Sequence, residues 1–128
     1  MPAFRDVINP ATEEPAGRIA MGSAEDVNRA VDAARRAFAS WSQSSTGERI
    51  ALLSRIIAGM EARADDLAAA MTREIGTPVT FARTVQFAMG VAHFREMIEV
   101  LGSYTFESAM HGSLIRREPI GVCGLITP

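Results

Sequence analysis

The chain has 128 residues, 48% hydrophobic and 22% charged, with a formal net charge of −2; this ordinary globular composition suits at most one domain and predicts neither a nucleic-acid nor a membrane partner. A single cysteine excludes an internal disulfide, and no cysteine–histidine spacing predicts a metal site. Because neither an apolar signal segment nor an apolar run of about 20 residues occurs, the sequence predicts a cytoplasmic protein.

Residues 4–22 predict a β-hairpin. Two short stretches with β-branched residues flank residues 10–17, which are rich in turn formers. Pro10 and Pro15 lack an amide hydrogen, so they suit the turn or a sheet edge better than a central strand. A two-stranded hairpin is marginally stable alone, and we therefore expect this one to pack on the rest of the chain.

Residues 23–108 predict a series of helices. The first begins after Ser23, which is a good N-cap and precedes two acidic residues that favour the positive end of a helix dipole. Apolar residues then recur at spacings of three and four, which predicts one buried stripe on a helix that ends near Trp41. The stripe comprises Val27, Ala30, Val31, Ala34, Phe38 and Trp41.

Three further helices follow in this region. Ser45 and Glu48 form a capping-box pair at the start of the second helix. A third helix is predicted from about residue 64 to residue 74, with Gly76 as its C-cap. The fourth runs roughly over residues 81–101.

The period of the pattern changes after Gly112. Residues 120–126, IGVCGLI, are a continuous apolar run that is typical of a strand covered on both faces, as in a parallel sheet. Residues 119–128 are therefore predicted to be the first parallel strand of an α/β sheet. No second parallel strand follows, which would leave the backbone groups of this strand without partners.

The residues alone predict no catalytic constellation. Cys123 lies in the middle of the predicted strand, and a buried structural cysteine is a better interpretation than a nucleophile, which needs an exposed and electropositive position. His93 and His111 fit packing or surface roles. No phosphate-binding loop, zinc-protease motif or serine elbow occurs.

The order of these segments resembles the N-terminal part of the aldehyde dehydrogenase superfamily, over essentially the whole chain. The most specific piece is Glu118–Val122, EPIGV, and relatives continue with Trp-Asn after the position of Pro128. The matching pieces, in chain order, are Ile8–Thr12, Gly17–Ile19, Ala24–Val27, Ala30–Val31, Ala33–Ala34, Ala37–Phe38, Trp41, Arg49–Leu53, Glu74–Pro78, Glu118–Val122 and Ile126–Pro128.

The resemblance implies an α/β fold: the helical front and first central strand of a Rossmann-like cofactor-binding domain, incomplete over residues 1–128. It also implies an oxidoreductase that converts a small aldehyde to a carboxylic acid with NAD or NADP, through a thiohemiacetal and a thioester on a cysteine. The family's catalytic cysteine and glutamate lie downstream of this chain. Cys123 does not match the nucleophile, so no catalytic residue is assigned and the fragment alone is predicted to be inactive.

The resemblance assigns residues to a cofactor site and to a substrate entrance. Ile126, Thr127 and Pro128 match a strand exit that lies beside the cofactor, in agreement with ligand binding at the carboxyl ends of parallel strands. Phe87 and Val91 match a helix that borders the substrate entrance, although their helical spacing favours the alternative of helix core.

Residues 112–117 match the start of an arm used in subunit assembly, which implies a homo-oligomer, a dimer or a tetramer, whose partners include the remainder of the dehydrogenase chain. The alternative from another class is a small helical interaction module without catalysis, with residues 120–126 docking on the edge of a partner's sheet.

Overall fold

A computed structural model describes residues 3–126 of the chain. Helices and strands are mixed, as the predicted α/β class requires, and five α-helices, a π-helix and four strands are defined within these residues. Their order is β1 (Phe4–Ile8), β2 (Pro15–Ala20), α1 (Ala24–Trp41), α2 (Thr46–Glu61), α3 (Ala64–Ile75), α4 (Val79–Phe81), the π-helix (Ala82–Phe87), α5 (Ala88–Ser103), β3 (Glu107–Met110) and β4 (Ser113–Arg116).

Strands β1 and β2 form an antiparallel hairpin in which Phe4 pairs with Ala20. The turn between them is closed by Asn9, whose backbone amide donates to the carbonyl of Glu14 over 2.9 Å. The side-chain Oδ1 of Asn9 also accepts from the amide of Ala11, which is a local bond typical of asparagine in turns. Short-range bonds of this kind hold the hairpin in register.

Helix α1 begins with a capping box. The hydroxyl of Ser23 accepts from the amide of Asp26, and the carboxylate of Asp26 accepts from the amide of Ser23. Beyond this cap the helix buries no side chain against the described residues. Val27 is 59% exposed and Trp41 is 47% exposed, so the stripe predicted to be buried is largely uncovered.

The core lies where α2, α3, the π-helix and α5 meet. Its buried apolar side chains are Ile57 on α2, Ala68 on α3, Ala82 on the π-helix and Val91 on α5. Helix α5 packs on α2, and the π-helix packs on α3. Two ion pairs add to these contacts at the rim, joining Arg95 to Glu61 and Arg83 to Asp65.

Helix α3 ends at Gly76, which has a φ of 74° and occupies the left-handed region that favours glycine. A Cβ placed on Gly76 would lie 2.6 Å from the Cγ of Pro10 in the β1–β2 turn. Glycine is therefore required here both by the backbone conformation and by the approach of Pro10. The contact ties the N-terminal hairpin to the corner between α3 and α4.

Strands β3 and β4 form a second antiparallel hairpin, in which Glu107 pairs with Arg116 and Met110 with Ser113. Its two-residue turn has positive φ values at His111 and Gly112, 49° and 81°, as the turns that match strand twist require. The sequence prediction differs here, because it extended the helical region to residue 108. Serine and alanine at the centre of β3 carry no strand signal, so only the cross-strand pairing reveals β3.

Residues 117–126 form no strand ladder in the described part of the chain. The predicted parallel strand over residues 119–128 therefore stays a prediction, and the described residues of this segment are largely exposed. Ile120 is 93% exposed and Leu125 is 91% exposed. The physical reason is that a parallel strand needs a hydrogen-bonding neighbour, and residues 3–126 supply none.

Candidate functional site

A cleft of about 890 Å³ opens beside the β3–β4 hairpin. It lies between the connection from α1 to α2 on one side and the residues that flank the hairpin on the other. Serine hydroxyls and charged side chains contribute much of its wall. The lining residues are Phe38, Ser42, Gln43, Ser44, Ser45, Thr46, Arg49, Tyr104, Phe106, Glu107, Arg116, Arg117, Glu118 and Pro119.

One of the arginines in this cleft, Arg116, is paired with carboxylates. The Nε of Arg116 donates to Glu107 over 2.7 Å, and its Nη1 lies 3.6 Å from Glu118. The hydrogen bond to Glu107, with the nearby negative charges, raises the pKa of the Arg116 guanidinium. Arg49 donates from Nε to the hydroxyl of Ser44 over 2.9 Å.

Four side chains join the helices to the root of the hairpin, and we call them the aromatic–arginine cluster: Arg49, Tyr104, Phe106 and Arg117. The rings of Tyr104 and Phe106 meet edge to face with centroids 4.8 Å apart. The guanidinium of Arg49 lies 5.8 Å from the Phe106 ring, and that of Arg117 lies 5.9 Å from the Tyr104 ring. Both distances allow cation–π attraction.

Sequence reasoning missed this cluster. Tyr104 and Phe106 follow Gly102, near which the fourth helix is predicted to end, and the sequence pattern assigns them no role. The available signal was two aromatic residues, one residue apart, just beyond a helix end, where a turn rather than a helix face positions side chains.

A second, apolar cleft of about 430 Å³ lies between α1 and the C-terminal segment. Val31, Arg35 and Phe38 of α1 line one wall, and residues 121–124 line the other. Cys123 belongs to that second wall and is exposed, so the prediction of a buried cysteine is wrong for the described chain. Nothing within residues 3–126 covers the outer side of this segment.

Cys123 has no catalytic neighbour among the described residues. Its Sγ makes one weak contact, 3.9 Å to the carbonyl oxygen of Gly121. Neither a histidine nor a carboxylate bonds to it within residues 3–126. A nucleophilic thiol needs an activating neighbour, and no histidine or carboxylate hydrogen bond supplies one to Cys123 within residues 3–126.

Only one of the three residues predicted to contact the cofactor can be described. Ile126 is 98% exposed at the end of the C-terminal segment, while Thr127 and Pro128 lie outside the described residues. Ile126 offers a ligand its backbone groups and an apolar side chain. The assignment of these three residues to a cofactor site stays a prediction.

The two residues predicted to border the substrate entrance differ in burial. Val91 is 3% exposed and belongs to the core, which fits the alternative of helix packing. Phe87 is half-buried and is the last residue of the π-helix. Single π-helical turns occur frequently at functional sites, so Phe87 is the stronger of the two candidates for a contact with a ligand.

Within residues 3–126, no three metal-ligating side chains come together. No helix in that part of the chain has the length and apolar character needed to cross a bilayer.

The chain belongs to the aldehyde dehydrogenase family, whose sequence model matches residues 3–128. It is 44% identical over 124 residues to the 3-succinoylsemialdehyde-pyridine dehydrogenase of a Pseudomonas species, a match that covers 96% of this chain and 26% of that protein. The chain therefore spans about a quarter of the length of the relatives it matches.

Solved structures lead to the same family. Aldehyde dehydrogenase C of Pseudomonas syringae, crystallised with NAD+ and octanal, superposes with a TM-score of 0.90 at 41% identity, over 94% of this chain and 25% of that one. The aldehyde dehydrogenase of Bartonella henselae superposes with a TM-score of 0.84 at 33% identity, over 88% of this chain and 24% of that one. Family membership favours the dehydrogenase interpretation over a small interaction module.

Proposed function

We propose that residues 1–128 are the N-terminal part of an NAD(P)-dependent aldehyde dehydrogenase, which oxidises an aldehyde to a carboxylic acid. The observation that carries the proposal is the match to aldehyde dehydrogenase C, at 41% identity over 94% of this chain. The catalytic cysteine and glutamate would lie in the remaining sequence, because Cys123 is exposed and without a catalytic partner among residues 3–126.

The cofactor site would be shared between this chain and the remaining sequence. NAD or NADP would accept the hydride of the aldehyde. Within residues 3–126, the exposed Ile126 would provide backbone groups and one apolar side chain to this site. The contribution of this chain would be the backbone of Ile126, Thr127 and Pro128, which would border the cofactor once residues 119–126 pair with strands of the remaining sequence, because open α/β sheets bind ligands at the carboxyl ends of their strands.

The substrate entrance would be bordered by the π-helix and the start of α5. Phe87 is half-buried at the junction of these two segments, so its ring can contact both the helical core and an aldehyde chain. Val91, one turn later, would support this position from within the core. An apolar border of this kind favours aldehydes with apolar chains.

The β3–β4 hairpin, called the arm from here on, would take part in subunit assembly. Both of its outer strand edges are unpaired within the described residues, and Leu114 on β4 is 68% exposed. An exposed edge of this kind is a template for pairing with another chain. We propose a homo-oligomer, a dimer or a tetramer, in which the arm contacts a second copy.

The activity can be tested on two polypeptides. The complete protein that carries residues 1–128 should reduce NAD+ or NADP+ in the presence of octanal, whereas purified residues 1–128 should not. Octanal is a suitable probe because it is the aldehyde bound to the structural relative. Aldehyde-dependent reduction by residues 1–128 alone would contradict the proposal. A folded complete protein that shows no activity with short and long aldehydes would contradict it as well.

The entrance can be tested in the complete protein with Phe87→Ala. The KM for octanal should rise several-fold more than the KM for acetaldehyde, because only the longer chain reaches an apolar border. The matched control is Phe94→Ala, which removes a half-buried phenylalanine from α5 at some distance along the helix. Equal changes in both KM values, or the same pattern for Phe94→Ala, would count against an entrance role for Phe87.

A further inference from the structure

We propose that the aromatic–arginine cluster is a positioning element for assembly: it fixes the angle at which the arm leaves the helices and thereby presents the arm edge to a second copy of the chain. The inference rests on the proposed role of the arm in assembly. It assigns a function to Arg49, Tyr104, Phe106 and Arg117, none of which belongs to the proposed cofactor or substrate regions.

The arm needs such an element because its own strands hold it only weakly. The extensive contacts of β3 and β4 within residues 3–126 are with each other. The ion pair between Arg116 and Glu107 joins the two strands and gives no attachment to the helices. A two-stranded ribbon of four residues a side therefore keeps its direction only through its root.

The root is where the cluster lies. The amide of Arg117, just after β4, donates to the carbonyl of Phe106, just before β3, over 2.8 Å and closes the base of the arm. From this closed base, Phe106 reaches the guanidinium of Arg49 on α2. Arg49 is itself anchored by its hydrogen bond to Ser44 at the end of the connection from α1. The cluster therefore connects the arm to the helices through α2.

Two contacts within the cluster brace the base from the other side. The ring of Tyr104 meets that of Phe106 edge to face, and the guanidinium of Arg117 covers the Tyr104 ring while its Nη1 lies 3.4 Å from the carbonyl of Thr105. Planar rings and planar guanidinium groups interact in a restricted range of orientations. Contacts of this kind constrain an angle better than aliphatic side chains of similar size.

A small change in the angle at the root of the arm moves its tip by a much larger distance than its base. Four residues of strand extend about 13 Å, so a tilt of roughly 10° at the root moves the tip by about 2 Å. Hydrogen bonds between strands tolerate a spread of only about 0.5 Å in donor–acceptor distance. A small loss of order in the cluster would therefore misplace the outer edge of the arm and weaken its pairing with a second copy.

The test measures assembly of the complete polypeptide that carries residues 1–128, by analytical ultracentrifugation over a dilution series. Phe106→Ala and Arg49→Ala should each raise the dissociation constant of the oligomer by about tenfold. Because both variants break the same cluster, the double variant should be little worse than either single one. Hydrogen exchange of the β3 and β4 amides should also become faster in each.

Conservative variants separate positioning from simple packing. Phe106→Tyr keeps an aromatic face and should assemble like the wild type, whereas Phe106→Leu keeps the apolar bulk and should behave like Phe106→Ala. Arg55→Ala is the matched control, since Arg55 is an exposed arginine on the same helix α2 as Arg49. It should leave assembly unchanged.

The outcomes distinguish the two proposals. A complete wild-type protein that is monomeric at every concentration would overturn the assembly role of the arm and this inference with it. A wild-type oligomer that Phe106→Ala and Arg49→Ala leave as tight as Arg55→Ala does would overturn the inference alone. An equal effect of Phe106→Tyr and Phe106→Leu would likewise contradict a positioning role for the aromatic face.

Discussion

Helices α2, α3 and α5 bury side chains against one another, whereas α1 and residues 117–126 leave equally apolar side chains exposed. Ile57 on α2 is 8% exposed and Ile120 in the C-terminal segment is 93% exposed. Hydrophobicity does not separate these two isoleucines. The difference is whether residues 3–126 supply a second apolar surface, so an apolar pattern indicates which face favours burial and does not identify what buries it.

The largest expected effect of the exposed C-terminal segment is on the solubility of purified residues 1–128. If the C-terminal segment is uncovered in solution, purified residues 1–128 should self-associate, because exposed apolar segments with β-branched residues pair with copies of themselves. Leu125→Glu should keep the chain monomeric in size-exclusion chromatography. Asn28→Asp adds a negative charge on α1 and serves as the control. A monodisperse wild type, or equal rescue by Asn28→Asp, would contradict the comparison.

Two isoleucine truncations test the difference in burial between Ile57 and Ile120. Each is measured by urea unfolding in the Leu125→Glu background. Ile57→Ala should lower the free energy of unfolding by about 2–4 kcal/mol, because it opens a cavity between α2 and α5. Ile120→Ala should change it by less than about 0.5 kcal/mol, since its side chain is already in water. Comparable losses for the two variants would show that the segment is packed in solution.

The contact between the N-terminal hairpin and the helices can be tested at Gly76. Gly76→Ala should cost about 1–3 kcal/mol, because alanine strains the left-handed backbone and its Cβ meets Pro10. Pro10→Ala should relieve part of that cost in the double variant. Gly59→Ala, inside α2 with open space around it, should be neutral or stabilising. Additive losses for Gly76→Ala and Pro10→Ala would mean that the two residues do not meet.

The smallest expected effect is a dependence of stability on pH at the helix caps. Hydrogen bonds from the Ser23 and Ser45 backbones, with those from the serine hydroxyls, lower the pKa values of Asp26 and Glu48 in the folded chain. The stability they contribute is therefore full above the unfolded-state pKa values and is lost as the pH falls through the folded ones. The urea midpoint of unfolding should decline on acidification. Glu48→Gln should make this decline smaller, and an unchanged dependence of the midpoint on pH in that variant would contradict the capping role.

Local signals in the sequence were sufficient for some features and insufficient for others. Serine followed three residues later by an acid marks the starts of α1 and α2, and the capping boxes at Ser23 and Ser45 are observed. These features involve neighbours in the chain, so the sequence contains both partners. The burial of Cys123 and of the α1 stripe depends on distant partners, and residues 3–126 do not include them.

The aromatic–arginine cluster shows a different limit. Its members come from α2, from the connection after α5 and from the residue after β4. No spacing rule joins Arg49 to Phe106, because their approach depends on the direction in which the chain leaves α5. Family resemblance predicted the cofactor and substrate regions, whereas this cluster could be recognised only from coordinates.

The π-helix has a consequence for the phase of the helical run from Val79 to Ser103. Each residue of an α-helix turns the chain by about 100°, and a π-helical turn accommodates one residue more. Residues 82–87 therefore contain the equivalent of one extra residue, which rotates the helix face that follows. The run packs on α3 through α4 and the π-helix, and on α2 through α5. Deletion of a single residue here would rotate one half of the run against the other, and only one of the two interfaces could then form.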